Sequence, residues 1–152
     1  MDNQKAIDAL NTLVVINNDR MEGYATAIED TEQADLKTLF AHFQKTSQQC
    51  HTELAAEVTR LGGTPDEGTR LTGKMYRMWM DVKSTLTNND RKAVIDWCKY
   101  GEDVASESYQ ETLRKNIEYL SIPQQTMLKK QHSMLQADHN KVRDMRDELV
   151  GV

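Results

Sequence analysis

Residues 62–90 read GGTPDEGTRLTGKMYRMWMDVKSTLTNND, and this stretch decides how the helices on either side of it are arranged. It opens with the helix-stopping pair Gly62-Gly63, and Pro65 prevents the preceding helix from resuming. It closes with Asn88-Asn89-Asp90, which breaks one helix and caps the next. Between these signals Leu71, Met75, Met78, Trp79, Val82 and Leu86 share one face at helical spacing, which predicts a short amphipathic helix inside the connection. A connection of this length carries the chain back along the helix that precedes it.

The flanking segments are long and periodic. Ile7, Leu10, Val14, Asn17, Met21, Tyr24 and Ile28 mark a first helix, capped by Asp2 or Asn3 and running to about residue 29. A polar turn at 30–33 reverses it into a second seam of Leu36, Phe40, Phe43, Ser47, Cys50, Leu54 and Leu61. After the connection, Ile95, Cys98, Glu102, Ala105, Tyr109 and Thr112 mark the fourth helix. Ser121 and Pro123 start the fifth, which carries Leu128, Gln131, Leu135, Asp138, Val142, Met145 and Leu149. Short turns near residues 32 and 121 predict two antiparallel hairpins. The long connection then makes the second and fourth helices parallel. That is the one-crossover topology of a ferritin-like four-helix bundle: all-α, one domain over residues 1–152, with a short fifth helix in the crossover. The crossover face must cover something, and Leu13, Val15 and Ile16 lie off the main seam of the first helix. Met75, Met78 and Trp79 are therefore expected to pack on the first hairpin.

The 152 residues suffice for one domain with a real core. A formal charge of −5, with Lys and Arg scattered among Asp and Glu, offers no basic stripe to a nucleic acid. No segment resembles a secretory signal or an apolar membrane span, so no membrane partner is expected and a cytoplasmic location is. Cys50 and Cys98 lie on apolar seams of different helices and read as two buried, reduced thiols.

Dinuclear metal centres in such bundles need a Glu from each of two helices and a Glu-x-x-His pair from each of the other two. None of the four histidines has a Glu three residues before it: Leu39 precedes His42, Gln48 precedes His51, Lys129 precedes His132 and Gln136 precedes His139. His51 also lies about 13 Å below the level of Glu22, at 1.5 Å per residue. A turn near residue 121 instead sets Glu102 beside Asp138 and His139. Glu22 is at the same height but points off its seam, with Met21 and Phe43 facing inward. Any metal, iron or manganese being the candidates, would use Glu22, Glu102, Asp138 and His139, although no metal or other cofactor is expected. The preferred reading is that Asn17, Ser47, Glu102, Gln131 and Asp138 hydrogen-bond across the bundle and fix its register. Two inward carboxylates then require a cation or a proton, and Arg20, Arg143 or His139 is available to supply it.

The run Met75-Tyr76-Arg77-Met78-Trp79-Met80 contains thioethers, soft ligands for Cu(I), but helical spacing assigns Met75, Met78 and Trp79 to the core. Met80, with Tyr76 four residues earlier, is left for a subunit contact. Lys141, Arg143 and Arg146 complement the dipole at the C-terminal end of the last helix.

Five stretches carry a resemblance, in order along nearly the whole chain: Asn17-Asn18-Asp19-Arg20-Met21-Glu22-Gly23-Tyr24; Leu61-Gly62-Gly63 before a proline; Trp79-Met80-Asp81-Val82-Lys83; Gly101-Glu102-Asp103; and Asp138-His139-Asn140-Lys141-Val142-Arg143. The chain resembles an uncharacterised bacterial family of ferritin-like four-helix-bundle proteins described only as a domain of unknown function. The resemblance implies a ferritin-like bundle and no established activity, substrate or cofactor. The functional expectation is a non-enzymatic bundle that acts by forming a homo-oligomer or binding a protein partner. A degenerate or mononuclear metal protein and a small-molecule carrier are the alternatives.

Overall fold

A computed structural model describes residues 3–69, 73–85 and 91–149. They form five α-helices: α1 (Asn3–Asp30), α2 (Ala34–Arg60), α3 (Lys74–Thr85), α4 (Arg91–Lys115) and α5 (Ile122–Leu149). One 3-10 turn, Ile117–Tyr119, precedes α5. No strand occurs among the described residues. The expected contributions of Asp2, Leu71, Leu86 and Asn88-Asn89-Asp90 fall outside them.

Local chemistry sets the helix ends. At the end of α2, Gly62 adopts φ 91°, the Gly63 N–H donates to the Val58 carbonyl and the Gly62 N–H donates to the Thr59 carbonyl. These two bonds satisfy carbonyls that a helix terminus leaves open, and the left-handed residue between them favours glycine. At the start of α5, Ser121 Oγ accepts from the Gln124 N–H while Gln124 Oε1 accepts from the Ser121 N–H, a reciprocal capping box. The α1–α2 turn is closed by Lys37 Nζ on the Ile28 carbonyl at 2.8 Å, and Arg91 from α4 reaches both Gln33 and Asp35 there.

Cross-helix bonds fix the directions. Ile28 meets Lys37, Met21 meets Gln44 and Arg20 meets Ser47, so α1 and α2 are antiparallel. Asp103 meets His139, Ser106 meets His132 and Tyr109 meets Gln131, so α4 and α5 are antiparallel as well. Asn17 bonds Tyr109 and Tyr24 bonds Glu102, which sets α4 antiparallel to α1 and therefore parallel to α2. The long connection dictates this order.

The crossover packs where its apolar face predicted, and more deeply. The Trp79 ring lies 4.7 Å from that of Trp97 and 6.2 Å from that of Phe40, and its indole N–H donates to Asp30 at 2.9 Å. Met75 seats its thioether between Gly23 of α1 and Gly101 of α4, while the Trp97 indole N–H donates to the Met75 carbonyl. Residues 64–69 are strapped to α1 by Asn11, which bonds Thr64 and Asp66, and by Asn18, which bonds the carbonyls of Asp66 and Gly68. Leu13 and Ile16 are buried, while Val15 stays half-exposed.

One expectation about α1 needs correction. Met21 and Ile28 are only partly buried, whereas Leu13, Arg20 and Ala27 are fully enclosed. Because α1 is covered by neighbouring helices on one side and by the crossover on the other, its buried arc is wide, and the Ile7–Val14–Met21–Ile28 line traces only one edge of it. At mid-height the inward residue is Arg20, which meets Ser47 of α2, and not Met21.

The interior divides into two apolar clusters. One contains Ile7, Leu10, Leu13, Leu54, Val58, Leu128 and Leu135; the other contains Tyr24, Phe40, Phe43, Met75, Trp79, Trp97 and Val142. Between them lies a polar layer.

Candidate functional site

The layer is centred on Arg20, whose side chain is 1% exposed. Its Nε donates to Glu102 Oε2 at 3.0 Å, and its Nη2 reaches Glu102 Oε1 at 2.8 Å and Asp138 Oδ2 at 3.2 Å. Nη1 donates to Ser47 Oγ. The Tyr24 hydroxyl, one turn along α1 from Arg20, donates to Glu102 Oε2 at 2.8 Å, and the guanidinium stands 5.5 Å from the centre of the Tyr24 ring. Asp138 is met on its other oxygen by His42 Nε2 at 3.2 Å. All four helices of the two hairpins thus contribute to one cluster.

One turn away, a second set of bonds crosses the core. Asn17 Nδ2 donates to Tyr109 Oη at 3.0 Å, the Tyr109 hydroxyl donates to Gln131 Oε1 at 2.7 Å, and Gln131 Nε2 donates to Glu53 Oε1 at 2.9 Å. The five residues expected to bond across the bundle, Asn17, Ser47, Glu102, Gln131 and Asp138, all do so. Tyr24 and Tyr109 join the layer although aromatic residues on a seam read as core; their hydroxyls act within the layer while their rings pack.

Burial and charge oppose each other here. Burial raises the Glu102 carboxyl above its usual range and Asp138 adds to that, while Arg20 and the Tyr24 hydroxyl pull it down. Burial alone would lower the Arg20 guanidinium, but Glu102, Tyr24 and Asp138 together hold it above its already high ordinary value. Arg20 is therefore a permanent cation, and its planar fork suits the bidentate grip on Glu102. Burial and Glu102 push the Tyr24 hydroxyl well up, and burial moves the thiols the same way, Cys50 to about 11 and Cys98 well above its ordinary value. Both cysteines are free and buried.

The four residues weighed as metal ligands do not converge. Glu102 and Asp138 meet, with the Arg20 guanidinium against both. Glu22 is exposed on α1. His139 turns away from the layer to Asp103, at 3.0 Å, with Gln136 near its other nitrogen. Among the described residues no three His, Cys, Asp or Glu side chains are grouped so that they could hold a metal ion. Of the three cations considered for the carboxylates, Arg20 supplies the charge, while His139 and Arg143 are engaged elsewhere. The sequence signal for Arg20 was its position on the Leu13–Ala27 line, seven residues from each.

A second concavity, about 220 Å³, opens between α1, α3 and α4. Ile16, Met75 and Val104 give it an apolar floor, and Lys74, whose ammonium lies 5.4 Å from the centre of the Tyr100 ring, stands with Asp19 and Glu107 around it. No described helix is long and apolar enough to cross a membrane.

The sequence matches the family described as "Domain of unknown function (DUF2383)" over residues 5–115, a span from the first turn of α1 to the last residue of α4, and the chain belongs to that family. No curated protein and no solved structure matches it.

Proposed function

We propose that this member of the DUF2383 family is a ferritin-like four-helix bundle with a short helix in its one crossover, working without enzymatic chemistry and through association, first of all with a second copy of itself. The parallel course of α2 and α4 supports the ferritin-like assignment. The observation that carries the functional reading is Arg20. At the level where a metal-binding bundle gathers carboxylates around cations, this chain lays a guanidinium against Glu102 and Asp138. The cation is then supplied from within the chain, and the layer serves register instead of catalysis. Met80 on α3, 40% exposed, and Ile117 and Ile122 flanking the α4–α5 turn provide apolar surface for contact. The free, buried thiols of Cys50 and Cys98 support a place in the cytoplasm, where thiols stay reduced.

Light scattering across a concentration series, combined with elemental analysis of protein grown with iron and manganese, tests this. The expected result is a mass above the 17.4 kDa of one chain, reduced by Met80→Asp with Ile122→Asp, and no bound metal. A monomer at every concentration overturns the association. Near-stoichiometric metal that disappears in Glu102→Ala, His139→Ala overturns the reading of the layer.

The cavity between α1, α3 and α4 favours a second reading, a carrier of a small ligand. An environment-sensitive apolar dye should brighten on binding and lose that response in Val104→Trp, which fills the space; a dye signal indifferent to that substitution counts against a carrier.

A further inference from the structure

On the face of the α4–α5 hairpin lies a notch of about 70 Å³ lined by Lys99, His139, Val142, Arg143 and Arg146. Four of these five side chains are basic and none is acidic, in a chain whose formal charge is −5. His139, Arg143 and Arg146 form one stripe of α5 at i, i+4 and i+7, and Lys99 faces them from α4. Val142, which is buried, gives the notch an apolar floor. The dipole of α5 accounts for a cation in the last turn, where Arg146 lies, but not for Lys99 or His139, which stand away from that end.

The neighbouring acids hold the notch in shape without filling it. Asp103 bonds Lys99 Nζ at 2.7 Å and His139 Nε2 at 3.0 Å, which orients both side chains. Asp144 lies 3.5 Å from Arg143 Nη2, a loose and solvent-exposed contact. Two guanidinium forks one turn apart, with an ammonium opposite, match a tetrahedral oxyanion better than a planar carboxylate, because they offer donors from separate directions. The volume takes a group of a few heavy atoms and leaves the remainder of any ligand in solvent.

We propose that this notch is a binding site for the phosphoryl group of a phosphate monoester, recognised by Arg143 and Arg146 with Lys99 as the third cation. The same chemistry is presented by a soluble ester and by the headgroup of phosphatidic acid.

Inorganic phosphate titrated into the full chain, followed by amide chemical shifts at constant ionic strength, tests the site, with sodium chloride as the control. The expected result is saturable shifts confined to the neighbourhood of residues 99, 139, 143 and 146. Arg143→Ala with Arg146→Ala, two surface changes whose folding is checked by the melting curve, should weaken binding about tenfold or more, on the scale of two charge-assisted contacts. Asp144→Asn should tighten it, because it removes the carboxylate beside Arg143 and leaves the Asp103 contacts that orient Lys99 and His139, an effect of opposite sign that structural damage does not imitate. Sedimentation with phosphatidylcholine vesicles, with and without phosphatidic acid, separates the sources: acid-dependent sedimentation lost in the double arginine variant assigns the headgroup, and phosphate binding without sedimentation assigns a soluble ester. Shifts no larger than those caused by chloride, together with no sedimentation, overturn the proposal, as do phosphate shifts unchanged in the double arginine variant.

Discussion

Arg20 shows how a single charged residue organises this core. Removing one partner of a buried ion pair leaves the other uncompensated, and such losses amount to about 3–5 kcal/mol. Arg20→Met should fall in that range, read from urea unfolding, because it strands Glu102 and Asp138 side by side without a cation. Arg20→Lys should recover little of it, since an ammonium keeps the charge but cannot grip Glu102 through two parallel bonds or reach Ser47 at the same time. The need for a cation at this level was legible in the sequence: two carboxylates on inward seams cannot both stay charged alone. Its identity was narrowed only to Arg20, Arg143 or His139, because charged residues are left out when an apolar seam is traced, and Arg20 lies on a line between Leu13 and Ala27 that only the double covering of α1 brings inside. Met21, the inward residue by periodicity, lies at the edge for the same reason.

At the scale of an element, α3 is held by a few specific contacts. Met75 fills a gap that exists only because Gly23 and Gly101 carry no side chain: a Cβ on Gly101 would stand 2.6 Å from Met75 Cε, and one on Gly23 would stand 3.1 Å from Met75 Cγ. Met75→Ala should cost about 2–5 kcal/mol, the range for emptying a buried methionine site, and alter the near-ultraviolet signal of Trp97. Gly101→Ala should be much better tolerated in a Met75→Ala background than alone, a coupling that a double-mutant cycle measures. The other anchor is Asp30, whose carboxyl is held below its ordinary range first by the Trp79 indole N–H and also by Lys83. Its folded pKa lies below its unfolded one, so its contribution is present above the unfolded value, near pH 4, and is lost as the pH falls through the folded value. Tryptophan fluorescence followed through an acid titration should report that loss, and Asp30→Asn should remove it. The apolar face of α3 announced the seat; the two glycines that receive Met75 did not, since an isolated glycine in a helical pattern gives no sign of what approaches it.

For the whole molecule, helix order and direction followed from connection lengths, which polymer geometry constrains tightly. The notch between α4 and α5 did not, because it depends on which surface side chains of two helices meet across a groove, and Lys99 stands 40 residues before His139. The bundle should also open as one unit, since the polar layer links both hairpins. Cys50 and Cys98 lie in separate hairpins, buried and with thiols shifted upward, so neither should react with a thiol reagent in the native state. Both should become reactive at the same urea concentration at which helical signal is lost; earlier release of one of them would show that the hairpins separate before they melt.

The layer also imposes an order in time. A ribosome delivers Arg20 and Ser47 within the first hairpin, Glu102 some 80 residues after Arg20, and Asp138 a further 36 residues on. Until α4 arrives, the guanidinium has only a hydroxyl to hold and remains better served by water, so the α1–α2 hairpin cannot close its interior prematurely. Docking of α4 removes that restraint, and α5 completes it. Because burying Arg20 without its carboxylates is costly, the first hairpin on its own should stay hydrated and open to its later helices.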